Sequence, residues 1–388
     1  MAWLSRRIAA GAWAGLVAAA ALALWHAESG RQALAWLIGA ALGVTLLHAA
    51  FGFAGGFRAL LAERRSAGFR AQLVLIGLTA LLFAPALAAG EVAGGPVRGF
   101  VFPIGLGLVL GAFLFGIGMQ IGGGCGSGTL YTAGGGAPRM WVTLAAFVAG
   151  ATLAAWQSPL WEGLPAFPPV ALAGLAGWPV AAALTLSGLA ALWALVAAIE
   201  RRRHGSLAPI GGRGNLLSGP WPMLWGAVGL AALGFATLIV AGRPWAITAA
   251  FPLWGAKAID ALGFGDPAFW PYWEDPTRTE ALFRPLFADR TTVMDLGIMA
   301  GAALAAALSG RRTPRSLPRP GEALASLVGG LLLGVGATIG AGCNISAWLG
   351  GVASGSLHGW AWIVPGLAGN AVGVALRPLF GLPGGFRA

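Results

Sequence analysis

Residues 116–136 read GIGMQIGGGCGSGTLYTAGGG, and residues 334–355 read GVGATIGAGCNISAWLGGVASG. Laid on each other, Gly116, Gly118, Ile121, Gly122, Gly124 and Cys125 fall on Gly334, Gly336, Ile339, Gly340, Gly342 and Cys343. The chain has only two cysteines, and they take the same place in the two copies. Each copy is an apolar helix that runs into a glycine-dense loop with a thiol at its start. In an apolar chain that pattern marks a broken or re-entrant membrane helix, whose unwound backbone faces a cavity rather than lipid. The two thiols are therefore expected to face one shared site.

The rest of the chain fits a membrane setting. Of 388 residues, 57% are hydrophobic and 10% charged, against about 25% charged in a soluble domain. The 64 glycines suit helices that must approach closely where hydrophobicity cannot drive them together. The net charge of +11 does not imply nucleic acid, because the arginines sit in short loops between apolar runs. Two cysteines in glycine-rich apolar surroundings are no disulfide framework. No cluster of residues calls for a metal or a cofactor.

About ten spans are expected, at 8–25, 33–53, 71–89, 100–121, 141–156, 180–199, 221–240, 292–308, 323–339 and 359–376, each near the roughly 20 residues a bilayer requires. The first run is long for a signal peptide and is read as a span. With the N-terminus inside, 17 of the 24 basic residues face inward: Arg6, Arg7, Arg58, Arg64, Arg65, Arg70, Arg139, Arg201, Arg202, Arg203, Arg213, Arg311, Arg312, Arg315, Arg319, Arg377 and Arg387. That excess sets an N-in, C-in orientation. The helix before Cys125 then runs inward and the helix before Cys343 outward. A second pair behaves alike: His48, Phe51 and Gly55 align with Thr248, Phe251 and Gly255, around a shared Ala-Ala-Phe. Related units of opposite direction form an inverted repeat, expected at 33–156 and 221–376 within one transmembrane domain, 1–388. Residues 243–290, the least apolar stretch, are expected to form an external cap. The expected fold is an all-α integral membrane bundle of inverted repeats with broken helices.

These residues carry a resemblance. GGGCGSGT, GAGCNIS and RPWAITAAFPLWGAK resemble motifs of the YeeE/YedE sulfur-transport family of bacterial inner-membrane proteins, over about residues 33–376. Members take up thiosulfate, and some are associated with selenium metabolism. The resemblance implies a multi-pass inner-membrane protein shaped as an hourglass with a narrow waist. It also implies essential cysteines near that waist, which fall on Cys125 and Cys343, and a small cytoplasmic sulfur carrier of the TusA type as partner. Thiosulfate-transporting members can carry a third cysteine between these two; this chain has none there.

The chemistry of the motifs is that of a neutral anion site. Full charges are costly within a membrane, while backbone amides and half-helix N-termini supply partial positive charge. Gly122, Gly123, Gly124 and Gly126 can curl into an anion-binding nest, and Gly340 and Gly342 repeat the pattern. Ser127, Thr129, Asn344 and Ser346 add neutral donors. A thiol is soft and donates weakly, which suits the terminal sulfur of thiosulfate better than a sulfate oxygen. A small buried cysteine is otherwise a packing residue; the matched pair favours function. His48 is a candidate anion or proton site or a hydrogen-bonded structural residue. Lys257, the one lysine, is a candidate attractor of anions or a snorkelling side chain. Phe51 and Phe251 are candidate apolar gates. Most of the 18 tryptophans are expected in interfacial belts. The leading expectation is uptake of a small inorganic sulfur anion, thiosulfate first. The alternatives are a membrane oxidoreductase relaying thiol or persulfide equivalents between Cys125 and Cys343, transport of a selenium or other sulfur compound, and a pore for a neutral solute in which the cysteines are incidental.

Overall fold

A computed structural model describes residues 2–310 and 317–385. The side chains of Arg6, Arg311, Arg312, Arg315 and Arg387, counted above among the inward charges, lie outside the described residues. Ten helical stretches are long and apolar enough to cross a membrane. In chain order the helices are α1 (Ala2–Ala27), α2 (Gly30–His48), α3 (Phe53–Glu63), α4 (Ala67–Ala89), α5 (Leu106–Gly122), α6 (Gly126–Gly134), α7 (Pro138–Trp156) and α8 (Leu172–His204). Then come α9 (Met223–Ala241), α10 (Ala250–Ala261), α11 (Pro276–Phe283), α12 (Arg290–Ser309) and α13 (Pro320–Ile339). A π-helical turn, Asn344–Gly350, runs into α14 (Gly351–Ala353), and α15 (Leu357–Leu376) ends the bundle. The protein is an all-α, multi-span membrane protein; the only strands described are two-residue ladders in the loops.

Besides α11, four pieces are too short to span: α3, α6, α10 and the 344–353 segment. At 1.5 Å per residue, the 12 residues of α10 cover only about 18 Å. Their order within the chain is the same in both halves. A long helix, a short one and two long ones precede a break, a short piece and a last long helix. Packing follows that correspondence. Helix α2 lies on α12 while α4 lies on α9; α7 lies on α13 while α5 lies on α15; α10 meets α7 while α3 meets α15. Helices α5 and α13 pack on each other at the centre. Helix α1 flanks α2 and α12, and α8 flanks α4.

Glycine makes the central contacts possible, because backbone there touches backbone. A Cβ on Gly111 would strike Gly340, and one on Gly329 would strike Gly122. Gly118 lies against Gly329 and Leu333, and Gly336 against Gly111 and Phe115. Each pair exchanges under the 218-residue shift that lays Cys125 on Cys343. Lipid tails are as apolar as leucine, so this close van der Waals approach is what holds the helices together.

Two expectations need correcting in detail. The fourth span is expected from residue 100, but helix α5 starts at Leu106. Pro103 disfavours a helical turn before it, and Ile104–Gly105 instead pair with Ala166–Phe167. The segment 243–290 is not all cap. Its first part forms α10, with Phe251, Leu253 and Ala256 buried, and the remainder forms α11 and short 3₁₀ turns. There Asp275 caps α11, and its carboxyl is held below the usual carboxylate range by the Thr277 hydroxyl. Arg278 stacks on Tyr272 at 4.2 Å and pairs with Glu162 at 3.1 Å.

The glycine contacts give a direct expectation. Gly329→Val should lose most folded protein, since the clash is with backbone and exceeds the ~1–3 kcal/mol of ordinary overpacking. Gly234→Ala, where a Cβ meets nothing within 4 Å, should be neutral or stabilising by up to ~1 kcal/mol. Thermal unfolding in detergent monitored by size exclusion checks both; equal stability of the two variants would contradict the packing described.

Candidate functional site

Both cysteines are helix N-caps. Helix α5 stops at Gly122, and Gly123 turns the chain with φ +88°, a left-handed conformation that suits glycine. Cys125 then adopts extended backbone, and its Sγ accepts a hydrogen bond from the Gly128 amide at 3.3 Å at the start of α6. The Ser127 hydroxyl lies 3.5 Å from the same sulfur, and Thr129 Oγ1 donates to the Cys125 carbonyl at 2.8 Å. The second copy repeats this. Helix α13 ends at Ile339, the chain turns through Ala341 (φ +59°) and Gly342 (φ +111°), and Cys343 Sγ accepts from the Ile345 amide at 3.4 Å. Ser346 Oγ accepts from the Cys343 amide at 3.1 Å and donates to its sulfur at 3.9 Å. Sulfur thus replaces the hydroxyl or carboxylate oxygen that usually caps a helix.

The two caps meet. A Cβ built on Gly126 would stand 3.3 Å from Cys343 Sγ and 3.4 Å from Thr248 Cγ2. The residue after one cysteine therefore lies against the sulfur of the other. Both thiols are free and buried. Two helix breaks, with the amide ends of α6 and of the 344–350 turn, come together at the centre of the bundle. The aligned amides give such a point partial positive charge without a cation.

A cavity of about 400 Å³ leads to this point. Phe51, Gly52, Arg58, Arg65, Gln72, Cys125 and Tyr131 are among its walls. Arg58 and Arg65 place its mouth on the arginine-rich face. It reaches Gly123, Gly124 and Cys125; Cys343, fully enclosed, is not among its walls. Phe251 is packed away against Phe147 and Trp254, with ring centres at 4.7 and 5.1 Å.

The remaining candidate residues separate. Thr248 joins the centre, beside Gly126. Its sequence mate His48 does not line the Cys125 cavity: it ends α2, tilts against Trp221 at 5.3 Å and lines a separate cavity of about 200 Å³. Lys257 lies one turn and a half along α10 from Phe251, and its Nζ donates to the Leu282 carbonyl at 2.9 Å, tying α10 to the outer segment. Asn344, Ser127 and Thr129 are fully buried and Ser346 is buried. Both ends of the Asn344 amide lack a hydrogen-bond partner, a costly arrangement unless a polar guest visits.

Sequence reading missed further groups in the same condition, three of them as follows. Gln72 Oε1, Trp245 Nε1 and Trp348 Nε1 are buried without partners. In sequence Gln72 is a polar residue at the start of an apolar run, the one signal that could have found it. Trp245 and Trp348 were hidden by the belt expectation, which describes Trp141, 52% exposed, but not these two, at 1% and 0%. Trp348 lies among Phe53, Phe57 and Phe69, stacked on the last at 5.7 Å.

Comparison with known proteins adds a family and relatives. The family model described as sulphur transport matches residues 48–372. The thiosulfate transporter TsuA of Spirochaeta thermophila is 27% identical over 356 residues, covering 86% of this chain and 95% of that protein. The probable transporter YedE of Escherichia coli is 29% identical over 154 residues, 37% of this chain and 35% of that protein. The thiosulfate transporter TsuA of Escherichia coli is 31% identical over 128 residues, 33% of this chain and 35% of that protein.

The geometry sets the two thiols apart in access. A small charged thiol reagent should modify Cys125 in a Cys343→Ser variant at least about tenfold faster than it modifies Cys343 in a Cys125→Ser variant, because only the first borders the cavity. Mass spectrometry of timed reactions reads this. Equal rates would mean that the cavity does not end at Cys125.

Proposed function

Because this chain belongs to the sulphur transport family, we propose that it carries thiosulfate, or a sulfur anion of the same chemistry, across the membrane between Cys125 and Cys343. The observation that carries this reading is the pair of N-capping cysteines, one bordering the cavity and the other enclosed, with Gly126, the residue after the first, against the sulfur of the second. A dianion must exchange its water for donors along the whole route. The amides after each cysteine and the Asn344 amide supply donors without fixed charge. The route is thereby favourable enough to enter and weak enough to leave. Each thiol offers the terminal sulfur of thiosulfate a soft, neutral contact. A fixed cation would hold a dianion too tightly; Arg139, against Gly123, is engaged with the Ile121 carbonyl at 2.7 Å and Ser326 at 3.0 Å, and Arg58 and Arg65 line the cavity.

The two halves, 33–156 and 221–376, act as inverted repeats about this point, in a bacterial inner membrane with both termini inside. The arginine-rich face is then cytoplasmic, and the structure is open to that side. A TusA-like sulfur carrier would receive the anion there, at the mouth marked by Arg58 and Arg65. A thiol relay would cycle through a disulfide or persulfide; the free thiols and their amide donors favour contact over exchange. Inward movement of a dianion opposes an inside-negative potential, at about 2.3 kcal/mol per charge per 100 mV. Accumulation therefore needs a compensating ion or consumption of the product.

Uptake of ³⁵S-thiosulfate into vesicles tests the reading. Cys125→Ser and Cys343→Ser should each reduce uptake more than tenfold at equal membrane abundance. That exceeds the ~1 kcal/mol of one hydrogen bond, since serine keeps the size and bonding of cysteine but loses its softness. Neither cysteine should rescue loss of the other, because the anion passes both. Wild-type uptake by both serine variants, or none by the wild type, would overturn the proposal.

A further inference from the structure

Asp295 is the group in this fold that transport as described leaves unused. It sits five residues into α12, about 7 Å along the axis from the outer end of that helix, and is 0% exposed. Neither carboxyl oxygen has a hydrogen-bond partner. An intramembrane ionisable residue without a partner is costly and is kept for a use.

Its place on α12 is informative. One turn before it, Thr292 Oγ1 accepts from the Trp254 indole of α10 at 2.9 Å. One turn after it, the backbone of Met299 lies against Gly134 of α6. The contacts with α2 are made by Met294, Gly297, Ile298 and Gly301 instead. Asp295 thus lies on the stripe of α12 between the half-helices α10 and α6. The corresponding helix, α4, has an analogous residue. Phe69 packs on Phe57 of α3 at 5.9 Å, as Thr292 meets α10, and one turn on is Gln72, which lines the Cys125 cavity with Oε1 unpartnered. Gln72 and Asp295 thus hold corresponding places on α4 and α12, each with a carbonyl-type oxygen left unpartnered.

We propose that Asp295 is a proton-binding site that couples anion transport to proton entry. This rests on the reading that the protein carries a sulfur anion. Buried beside α6, the half-helix that Cys125 caps, a carboxylate would repel a dianion; the neutral acid would not. Binding of the proton and passage of the anion therefore favour each other, and that reciprocity is coupling. In each cycle one proton binds Asp295 from the outer side and one anion passes. The proton leaves inward, returning the carboxylate. No bond other than O–H is made or broken.

The neighbouring charges leave this role to Asp295. Asp289 is engaged in capping α12 through the Thr292 amide at 2.7 Å. Arg243 donates to Thr291 Oγ1, and Arg290 donates to Gln32 and the Ala241 carbonyl. On α10, Lys257 is held by the Leu282 carbonyl, and Asp260 lies a turn further out on the exposed face. On α6 the titratable group is Tyr131, a wall of the cavity. On α2 they are Arg31 near its start and His48 beside Trp221, and on α1 Arg7 and His26 near its two ends.

The test uses the purified full chain in liposomes, with the potential clamped by potassium and valinomycin. With acid outside, the wild type should accumulate ³⁵S-thiosulfate by about tenfold per pH unit, the limit for one proton per anion. Asp295→Asn, which mimics the protonated acid, should still exchange internal for external thiosulfate but show no response to the pH gradient. Asp295→Glu should recover part of that response. A wild type that exchanges thiosulfate but ignores the gradient, or an Asn variant that accumulates like the wild type, would overturn the proposal. A wild type that exchanges no thiosulfate at all means that the substrate reading has failed. Infrared difference spectra after a pH jump then decide separately. A protonated-carboxyl C=O band that disappears in Asp295→Asn supports the proton site, and identical spectra overturn it.

Discussion

In the reading proposed above a doubly charged anion crosses hydrocarbon where backbone amides replace its water, and backbone amides come free where a helix is broken. Every broken end is itself a liability in lipid, so the breaks must be enclosed by protein. The architecture follows from that constraint. Two breaks, after Gly122 and after Ile339, face each other at the centre, and the full-length helices α2, α5, α7, α9, α12, α13 and α15 surround them. Sulfur caps the first amides on each side. It holds them less firmly than a serine or aspartate oxygen would, and leaves them available to a guest.

Enclosure depends on closeness. Helices α5 and α13 carry both breaks and must lie against each other for the two cysteines to meet. Gly111, Gly118, Gly329 and Gly336 allow that by removing their own Cβ from the contact. The glycine content therefore has two distinct uses. At Gly123 and Gly342 it permits a left-handed turn; along α5 and α13 it permits backbone contact. The packing that stabilises the bundle is the same packing that brings Gly126 against Cys343.

Much of this was legible in the sequence. Hydropathy and the arginine loops marked the ten spans, and two cysteines in matched glycine runs marked the centre. The short helices were not legible as helices. GSGTLYTAG is a poor helix former by propensity, and α6 forms because α7 and α12 hold it and Cys125 caps it. The match of His48 with Thr248 was a true similarity of motif but a poor guide to place. His48 closes a long helix, whereas Thr248 lies in the short link before α10, so one turns to a side cavity and the other to the centre. Lys257 carried a charge signal that its carbonyl partner explains. Trp245, Trp348 and Gln72 needed coordinates, because an unpartnered buried donor or acceptor is a property of surroundings rather than of residue type.

The central claim is that sulfur recognises sulfur. Thiosulfate and sulfate share charge and shape and differ in one terminal atom, so a site built only from amides and charge treats them nearly alike. The most direct measurement is competition: uptake of ³⁵S-thiosulfate into vesicles bearing the protein, with a hundredfold excess of unlabelled sulfate or of unlabelled thiosulfate outside. The account predicts that thiosulfate abolishes uptake of label and that sulfate leaves it nearly unchanged. Equal inhibition by the two anions would show that the thiols of Cys125 and Cys343 contribute no selectivity and would contradict the account.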